Sequence, residues 1–219
     1  MPETRIRSFV PQRVRLTEGQ QNAWDALWPV HGGDVSAVDR LEVTGPTVLE
    51  IGSGNGEATA LMAAAAPEIQ HIAVEVYEPG LAHLLIRLRA AELQNLRLLR
   101  GDAVDLLDRA VPERSLEGIR IFFPDPWPKR KHHKRRLVQP DFTALAASRL
   151  RPGGWLHLAT DWAHYADQML AVCDACPALT RDPASDPWYP RPDSRPLTKF
   201  EQRAVQEGRE IRDLLYIAQ

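Results

Sequence analysis

Residues Thr47-Val48-Leu49-Glu50-Ile51-Gly52-Ser53-Gly54-Asn55-Gly56, followed by an alanine-rich stretch to Ala66, admit few folds. The first five residues read as a buried strand, because apolar residues, several of them β-branched, run without alternation. Three alternate glycines then make a turn that a ligand can approach closely at the backbone, and a helix follows from Ala58 to Ala66, stopped by Pro67. Such a unit belongs to a parallel sheet with helices on its faces. The glycines are spaced GxGxG and not GxGxxG, and Glu50 stands two residues before the first. A carboxylate there suits a cationic ligand better than a pyrophosphate. Alone, the turn is weak evidence, since many such turns bind nothing.

The rest of the chain repeats the alternation of strand and helix. His71-Ile72-Ala73-Val74-Glu75 reads as a second strand, ending in an acid 19 positions after Gly56. That is where a nucleotide-binding α/β sheet bonds ribose hydroxyls. Leu81, Leu84, Leu85 and Leu88 form one apolar helical stripe. A third strand, Leu96 to Leu99, leads to Gly101-Asp102-Ala103, where Asp102 caps a short helix, lies near an adenine, or does both. The fourth strand, Ile119 to Phe123, ends with Asp125 held between Pro124 and Pro126. Proline cannot donate to a sheet ladder and its φ is fixed, so this carboxylate sits on a stiff strand end. Open α/β sheets bind ligands at such ends. A helix is expected over 139–150 and a strand over Trp155–Thr160, ending at Asp161. Asp161 either caps the helix from Trp162 or faces the site. Prolines punctuate an irregular excursion over 177–198, in which Trp188 and Tyr189 stack on a base or pack the loop down. Thr198-Lys199-Phe200-Glu201 has the form of a capping box, and Asp213 to Ile217 reads as the last strand.

Directly after Asp125-Pro126-Trp127-Pro128 come eight residues, Lys129 to Arg136, of which six are Lys or Arg and two are His. The formal net charge is only −2, so any contact with nucleic acid is a local patch on a near-neutral body. If all six cations met phosphates, the salt slope of single-stranded RNA binding would approach about −4. Residues 1–16 form a flexible basic arm, with Arg5, Arg7, Arg13 and Arg15 against Glu3. It folds over a ligand, lies along RNA, or is a plain tail. Residues 17–219 are expected to form one domain, opened by a helix with Trp24, Leu27 and Trp28 on its apolar face and ended by Pro29 and Gly32-Gly33. Cys173 and Cys176 lack a second CxxC and read as packing residues, not metal ligands. No apolar run reaches membrane-spanning length and no secretory apolar region opens the chain, so no membrane partner, no metal and a cytoplasmic location are expected.

Arg7-Ser8-Phe9-Val10, Phe122-Phe123-Pro124-Asp125-Pro126-Trp127, His132-x-Lys134-Arg135-Arg136, Ala159-Thr160-Asp161-Trp162 and Arg195-Pro196-Leu197-Thr198-Lys199-Phe200-Glu201 occur in order along nearly the whole chain. Together with the Glu-x-Gly-x-Gly-x-Gly turn they resemble the bacterial tRNA (guanine-N7)-methyltransferase family, class I S-adenosylmethionine-dependent enzymes. The resemblance implies a Rossmann-like α/β fold with a mostly parallel seven-stranded sheet and helices on both faces. It implies S-adenosyl-L-methionine held by Glu50, Gly52, Gly54, Gly56, Glu75, Asp102, Ala103 and Asp125; Asp125 is also the expected catalytic residue, because a carboxylate there stabilises the positive charge that grows on the purine. It implies substrate contacts from Lys129, Asp161, Thr198, Lys199, Phe200 and Glu201, and RNA contacts from Lys131, His132, His133, Lys134, Arg135 and Arg136. The implied reaction is methylation of N7 of a variable-loop guanosine, guanosine 46, in tRNA. A monomer or weak homodimer is expected, although the sequence does not give the oligomeric state. The chain departs from the family pattern at Ser53, where Phe is more usual, at Pro128, where many members have His, and at Lys131, where many have Arg. Two rival readings share parts of this pattern: a methyltransferase acting on an exocyclic amine, and a non-catalytic RNA-binding module that retains the fold. A nicotinamide dehydrogenase is disfavoured by the glycine spacing.

Overall fold

The computed structural model describes residues 6–10 and 14–219. Arg5 and Arg13 of the basic arm lie outside the described residues. One sheet of eight strands forms the centre: β1 (Gly32–Asp34), β2 (Thr47–Ile51), β3 (Gln70–Glu75), β4 (Leu96–Arg100), β5 (Leu116–Phe122), β6 (Leu150–Thr160), β7 (Leu179–Arg181) and β8 (Arg212–Ala218). Their spatial order is β1-β4-β3-β2-β5-β6-β8-β7. The pairs from β1 to β6 are parallel, while β8 runs antiparallel to both β6 and β7. The fold class is the expected one, with one strand more than the expected seven. Two strands fall where none was expected: β7, inside the proline-punctuated excursion, and β1, where Gly32 and Gly33 do more than end the first helix. These two glycines extend the edge of the sheet by pairing with Leu98 and Leu99.

Seven helices flank the sheet among the described residues: α1 (Glu18–His31), α2 (Glu57–Ala65), α3 (Glu78–Ala90), α4 (Ala103–Arg109), α5 (Pro140–Arg149), α6 (Ala163–Asp174) and α7 (Lys199–Gln206). Helix α1 runs past Pro29 to His31 and starts with a capping box, in which the side chains of Thr17 and Gln20 each accept from or bond to the other's backbone N–H. Every residue of β2 is buried, as expected of a central parallel strand covered on both faces. One apolar cluster joins Leu49, Ile51, Ile119, Ile121 and Leu158 to residues of α4, α5 and α6. A second joins Ala73 and Leu98 to α1, α2 and the leucine stripe of α3, Leu81, Leu84, Leu85 and Leu88.

β2 lies between β3 and β5: the chain runs outward from β2 through β3 to β4, then crosses back to place β5 on the other side of β2. A crevice opens at such a switch, outside the carboxyl ends of the strands. Glu75, Asp102, Asp125 and the glycine turn all sit at these ends. The 177–198 excursion holds β7, and its aromatics pack inward. Trp188 lies against the core with the Arg212 guanidinium 4.9 Å from its ring, and Tyr189 bridges to Asp213 in the sheet. Cys173 and Cys176 are both free and buried, and burial pushes the Cys173 thiol up to about 12.

Candidate active site

A cavity of about 510 Å³ fills the switch-point crevice. Gly52, Gly54, Glu75, Asp102, Ala103 and Asp125 all line it, so six of the eight expected cofactor residues meet in one space. The turn takes left-handed backbone at Gly52 (φ 80°), Gly54 (φ 53°) and Gly56 (φ 69°). A Cβ on Gly52 or Gly54 would meet nothing within 4 Å, so the bare backbone borders open space. At Gly56 a Cβ would strike Leu84 of α3 at 2.5 Å, so this glycine serves packing and does not line the cavity.

Each acid has a distinct setting. Glu75 accepts from the Gly54 amide at 2.9 Å through Oε2, and from the Val76 and Tyr77 amides at 2.7 and 2.9 Å through Oε1. It thereby ties the end of β3 to the glycine turn, and Oε2 keeps a lone pair for a further donor. Asp102 caps α4, accepting from the Val104 amide at 3.0 Å, while also lining the cavity. Glu50 does not line the cavity. It is 5% exposed and accepts from Thr59 Oγ1 at 3.0 Å, and its buried Oε2 has no hydrogen-bond partner among the described residues. Burial raises its pKa, and Arg120, its register partner on β5, opposes that rise. Asp125 lies at the cavity rim, where desolvation by the surrounding protein raises its pKa. The neighbouring Phe123 and Trp127, each followed by a proline, hold left-handed backbone (φ 52° and 44°).

The described part of the arm closes one wall. Ser8, Phe9 and Val10 line the cavity, and the Ser8 carbonyl accepts from Trp127 Nε1 at 2.9 Å. Trp127 in turn carries the Arg135 guanidinium 4.6 Å from its ring and meets the His132 ring edge-on at 5.9 Å. The cationic tract forms a short 3-10 helix, Arg130–Arg135. Lys129, Lys131 and Lys134 are exposed, and His132, His133 and Arg135 are partly so.

Arg136 corrects the reading of that tract. It is 2% exposed, donating from Nε to the Pro126 carbonyl at 2.8 Å and from Nη1 to Gln168 Oε1 at 2.7 Å, with the Tyr165 ring 4.8 Å away. At 2% exposure, with Nε and Nη1 bonded inside the fold, this guanidinium faces the protein interior and not RNA phosphates. Glu201 is likewise turned inward, 1% exposed, and accepts two hydrogen bonds from Arg195. Asp161 does not cap α6; the Trp162 amide goes to Thr160 Oγ1, and Asp161 pairs with Arg209 Nε at 2.8 Å. Thr198 caps α7 by accepting from the Glu201 amide at 3.2 Å, and the Lys199 amide donates to Glu57 Oε2 at 3.3 Å. Phe200 is 53% exposed, with its ring 5.1 Å from that of Phe123, which lines the cavity.

Residues 44–214 match the family described as "Putative methyltransferase". A tRNA (guanine-N(7)-)-methyltransferase of Streptomyces avermitilis is 49% identical, over 98% of this chain and 76% of that protein. One of Methylococcus capsulatus is also 49% identical, over 98% and 95%. The chain belongs to the tRNA (guanine-N(7)-)-methyltransferase family. Among solved structures, an rRNA methylase from Streptococcus thermophilus shares the fold, with TM-score 0.53 at 16% identity over 94% of this chain and 99% of that one. Within this family member, the site includes residues that spacing alone does not reveal. Tyr77, Phe122 and Leu137 line the cavity as strand-end or loop positions. Gly80, inside α3, lies so close to the turn that a Cβ there would be 2.3 Å from the Gly54 carbonyl oxygen. A glycine inside a leucine-striped helix was the available signal.

Proposed function

We propose that this chain transfers the methyl group of S-adenosyl-L-methionine to N7 of guanosine in tRNA, at the variable-loop guanosine 46. The observation that carries the reading is the convergence of the glycine turn, Glu75, Asp102 and Asp125 on one cavity, with exposed cations beside it. The residues present fit the cofactor. Open backbone at Gly52 and Gly54 admits a close ligand, Glu75 retains acceptor capacity, and the buried unpartnered Oε2 of Glu50 suits a cation or its ammonium. Glu50, Gly52, Gly54, Glu75, Asp102, Ala103 and Asp125 would hold it, with Glu50 acting from behind the turn and Gly56 only packing the turn against Leu84. When bound, the sulfonium supplies an electrophilic methyl group.

Guanine N7 carries an in-plane lone pair and no proton, so no side chain has to act as base before attack. The protein's task is alignment, which is worth roughly 7–11 kcal/mol in favourable cases. Asp125 places negative charge where the purine becomes cationic, accepts from N1–H and the 2-amino group of guanine, or does both, with Asp161 and Glu201 as the alternative guanine readers. Lys129, Asp161, Thr198, Lys199 and Phe200 meet the substrate around the mouth. Lys131, His132, His133, Lys134 and Arg135 touch RNA. Arg136 being internal, five Lys or Arg remain in the tract, and the expected salt slope falls to at most about −3.5 on single-stranded RNA. The test is transfer of labelled methyl to unmodified tRNA followed by borohydride–aniline cleavage, which cuts at N7-methylguanosine. Cleavage at one variable-loop guanosine supports the reading. Label without cleavage favours an exocyclic amine as acceptor, and tRNA binding without label favours a binding module.

A further inference from the structure

The reaction just proposed leaves unused the most densely charged buried cluster among the described residues. Arg195 is 2% exposed and sits between two buried carboxylates. Its Nη1 and Nη2 donate to Glu201 Oε2 and Oε1 at 2.6 and 2.9 Å, and Nη2 also donates to Asp213 Oδ2 at 2.9 Å. Asp213 Oδ1 lies 2.8 Å from Arg195 Nε and 2.7 Å from His157 Nε2. Arg191 closes the cluster from the surface, 3.4 Å from Glu201 and bonded to the Arg195 carbonyl at 2.7 Å. Two arginines thus face two carboxylates, and the cluster joins β6, β8, the proline-rich excursion and α7.

Ion clusters of this kind are poor sources of net stability, because desolvation consumes most of the attraction. Apolar packing would hold the same elements together. What a bidentate guanidinium adds is direction, because its planar fork accepts a carboxylate in one orientation. Here the direction sets the rotation of α7 about its axis. Successive helical residues are about 100° apart, so pinning Glu201 inward turns Phe200 outward, toward the Phe123 ring 5.1 Å away. The same guanidinium lies 5.7 and 5.9 Å from the rings of Phe122 and Phe123, both of which line the cavity. Phe123 holds left-handed backbone, a conformation that persists in a non-glycine residue only when its surroundings hold it.

We infer that Arg195 is a positioning residue for methyl transfer, clamping Glu201 and Asp213 so that the Phe123–Phe200 ring pair is fixed at the mouth of the cavity. Glu201 then acts through Arg195 and not by the direct substrate contact expected of it. The inference rests on the proposed reaction at this site. The test compares wild type, Arg195→Lys, Glu201→Gln, Phe200→Leu and the Arg195→Lys/Phe200→Leu double variant. Each is assayed for cofactor affinity, tRNA affinity and single-turnover methyl transfer. Arg195→Lys and Glu201→Gln are expected to hold both affinities within about threefold while the single-turnover rate falls by on the order of 100-fold. The double variant is expected to be no slower than the slower single one, because both changes release the same ring pair. An unchanged rate in either clamp variant, rate losses that multiply in the double variant, or a parallel loss of cofactor affinity would each overturn the inference. Should Arg195→Lys fail to fold, Glu201→Gln, a near-isosteric change, takes its place in the cycle. A wild type that transfers no methyl to N7 would defeat the proposed reaction instead.

Discussion

Arg136 Nε donates to the Pro126 carbonyl oxygen across 2.8 Å, so the last cation of the basic tract braces the turn that presents Asp125. The other end of the guanidinium reaches Gln168 on α6 and lies 3.1 Å from His164 Nδ1. Arg136→Met removes these bonds and leaves the carbonyl and the amide oxygen buried without a donor. Hydrogen bonds to charged groups are worth about 1.5–3 kcal/mol each, so a loss of at least that order in unfolding free energy is expected. Lys131→Ala and Lys134→Ala change exposed side chains and are expected to leave stability within about 0.5 kcal/mol while weakening tRNA binding. Chemical denaturation alongside tRNA titration separates the two behaviours. Equal stability of all three variants would show that the Arg136 bonds contribute nothing.

Asp125 is an exposed side chain at the cavity rim, and desolvation by the protein beside it lifts its pKa from the ordinary 3.8. On the side that faces the cavity, where protein replaces part of the water, an ionised carboxylate stabilises a neighbouring positive charge more strongly than it would in bulk water. Asp125→Asn preserves shape and removes the charge. The transfer rate at saturating cofactor is expected to fall by on the order of 10²–10³, the loss typical of one preorganised electrostatic partner. The raised pKa also moves the acid limb of the wild-type pH–rate profile upward, and that limb is expected to vanish from the residual activity of the variant. A full rate in Asp125→Asn would remove the electrostatic role.

The acids at the strand ends were legible because their information is local. A buried strand, a glycine turn and a terminal carboxylate are adjacent in sequence, and the topology of a parallel sheet brings such ends together. Arg136 was not legible, because a run of cations reports composition and not direction, and the 3-10 helix turns its last neighbour inward. Glu201 fits both a capping box and a substrate motif, and only Arg195 and Asp213 show that its carboxylate is engaged. The wall made by Ser8 to Val10 depends on a bond between residues 119 positions apart, and no periodicity carries that. Strand β1 escaped because Gly32-Gly33 is a helix stop by local chemistry and a strand only through β4, and β7 because its three residues are a strand only through β8.

Glu50 is predicted to cost stability in order to serve the site. Burial raises its pKa above 4.5, with Arg120 and Thr59 pulling the other way less strongly. The native state therefore holds the Glu50 proton more tightly than the unfolded chain does. Between the unfolded value and the native one, stability falls as pH rises, and the burden is fully present above the native value. Glu50→Gln can keep the bond from Thr59 and removes the charge. Its melting temperature is expected to exceed wild type near pH 8, with the difference shrinking as pH approaches 4.5. Cofactor affinity is expected to fall at the same time, the usual trade between stability and function. Melting curves across that range check the sign, and a variant less stable than wild type near pH 8 would contradict it.

Gly80 offers the sharpest steric test of the cofactor turn. A Cβ at this position would lie 2.3 Å from the Gly54 carbonyl oxygen and 3.0 Å from its carbon, and both obstacles are backbone. The clash therefore cannot be relieved by a side-chain rotation. Either α3 moves away or the turn does, and the turn carries the Gly54 amide that bonds Glu75 across 2.9 Å. Displacing it disturbs the open backbone and the carboxylate together. Gly80→Ala is expected to weaken cofactor binding by tenfold or more, about 1.4 kcal/mol, while tRNA binding through the exposed tract stays near wild type. Gly19→Ala in α1 is the matched control, since a Cβ there meets nothing within 4 Å. In a helix that change is expected to stabilise by roughly 0.5–1 kcal/mol and to leave cofactor affinity alone. Calorimetric titration of the two variants gives the answer: if Gly80→Ala binds as tightly as Gly19→Ala, the turn is not held in place by α3.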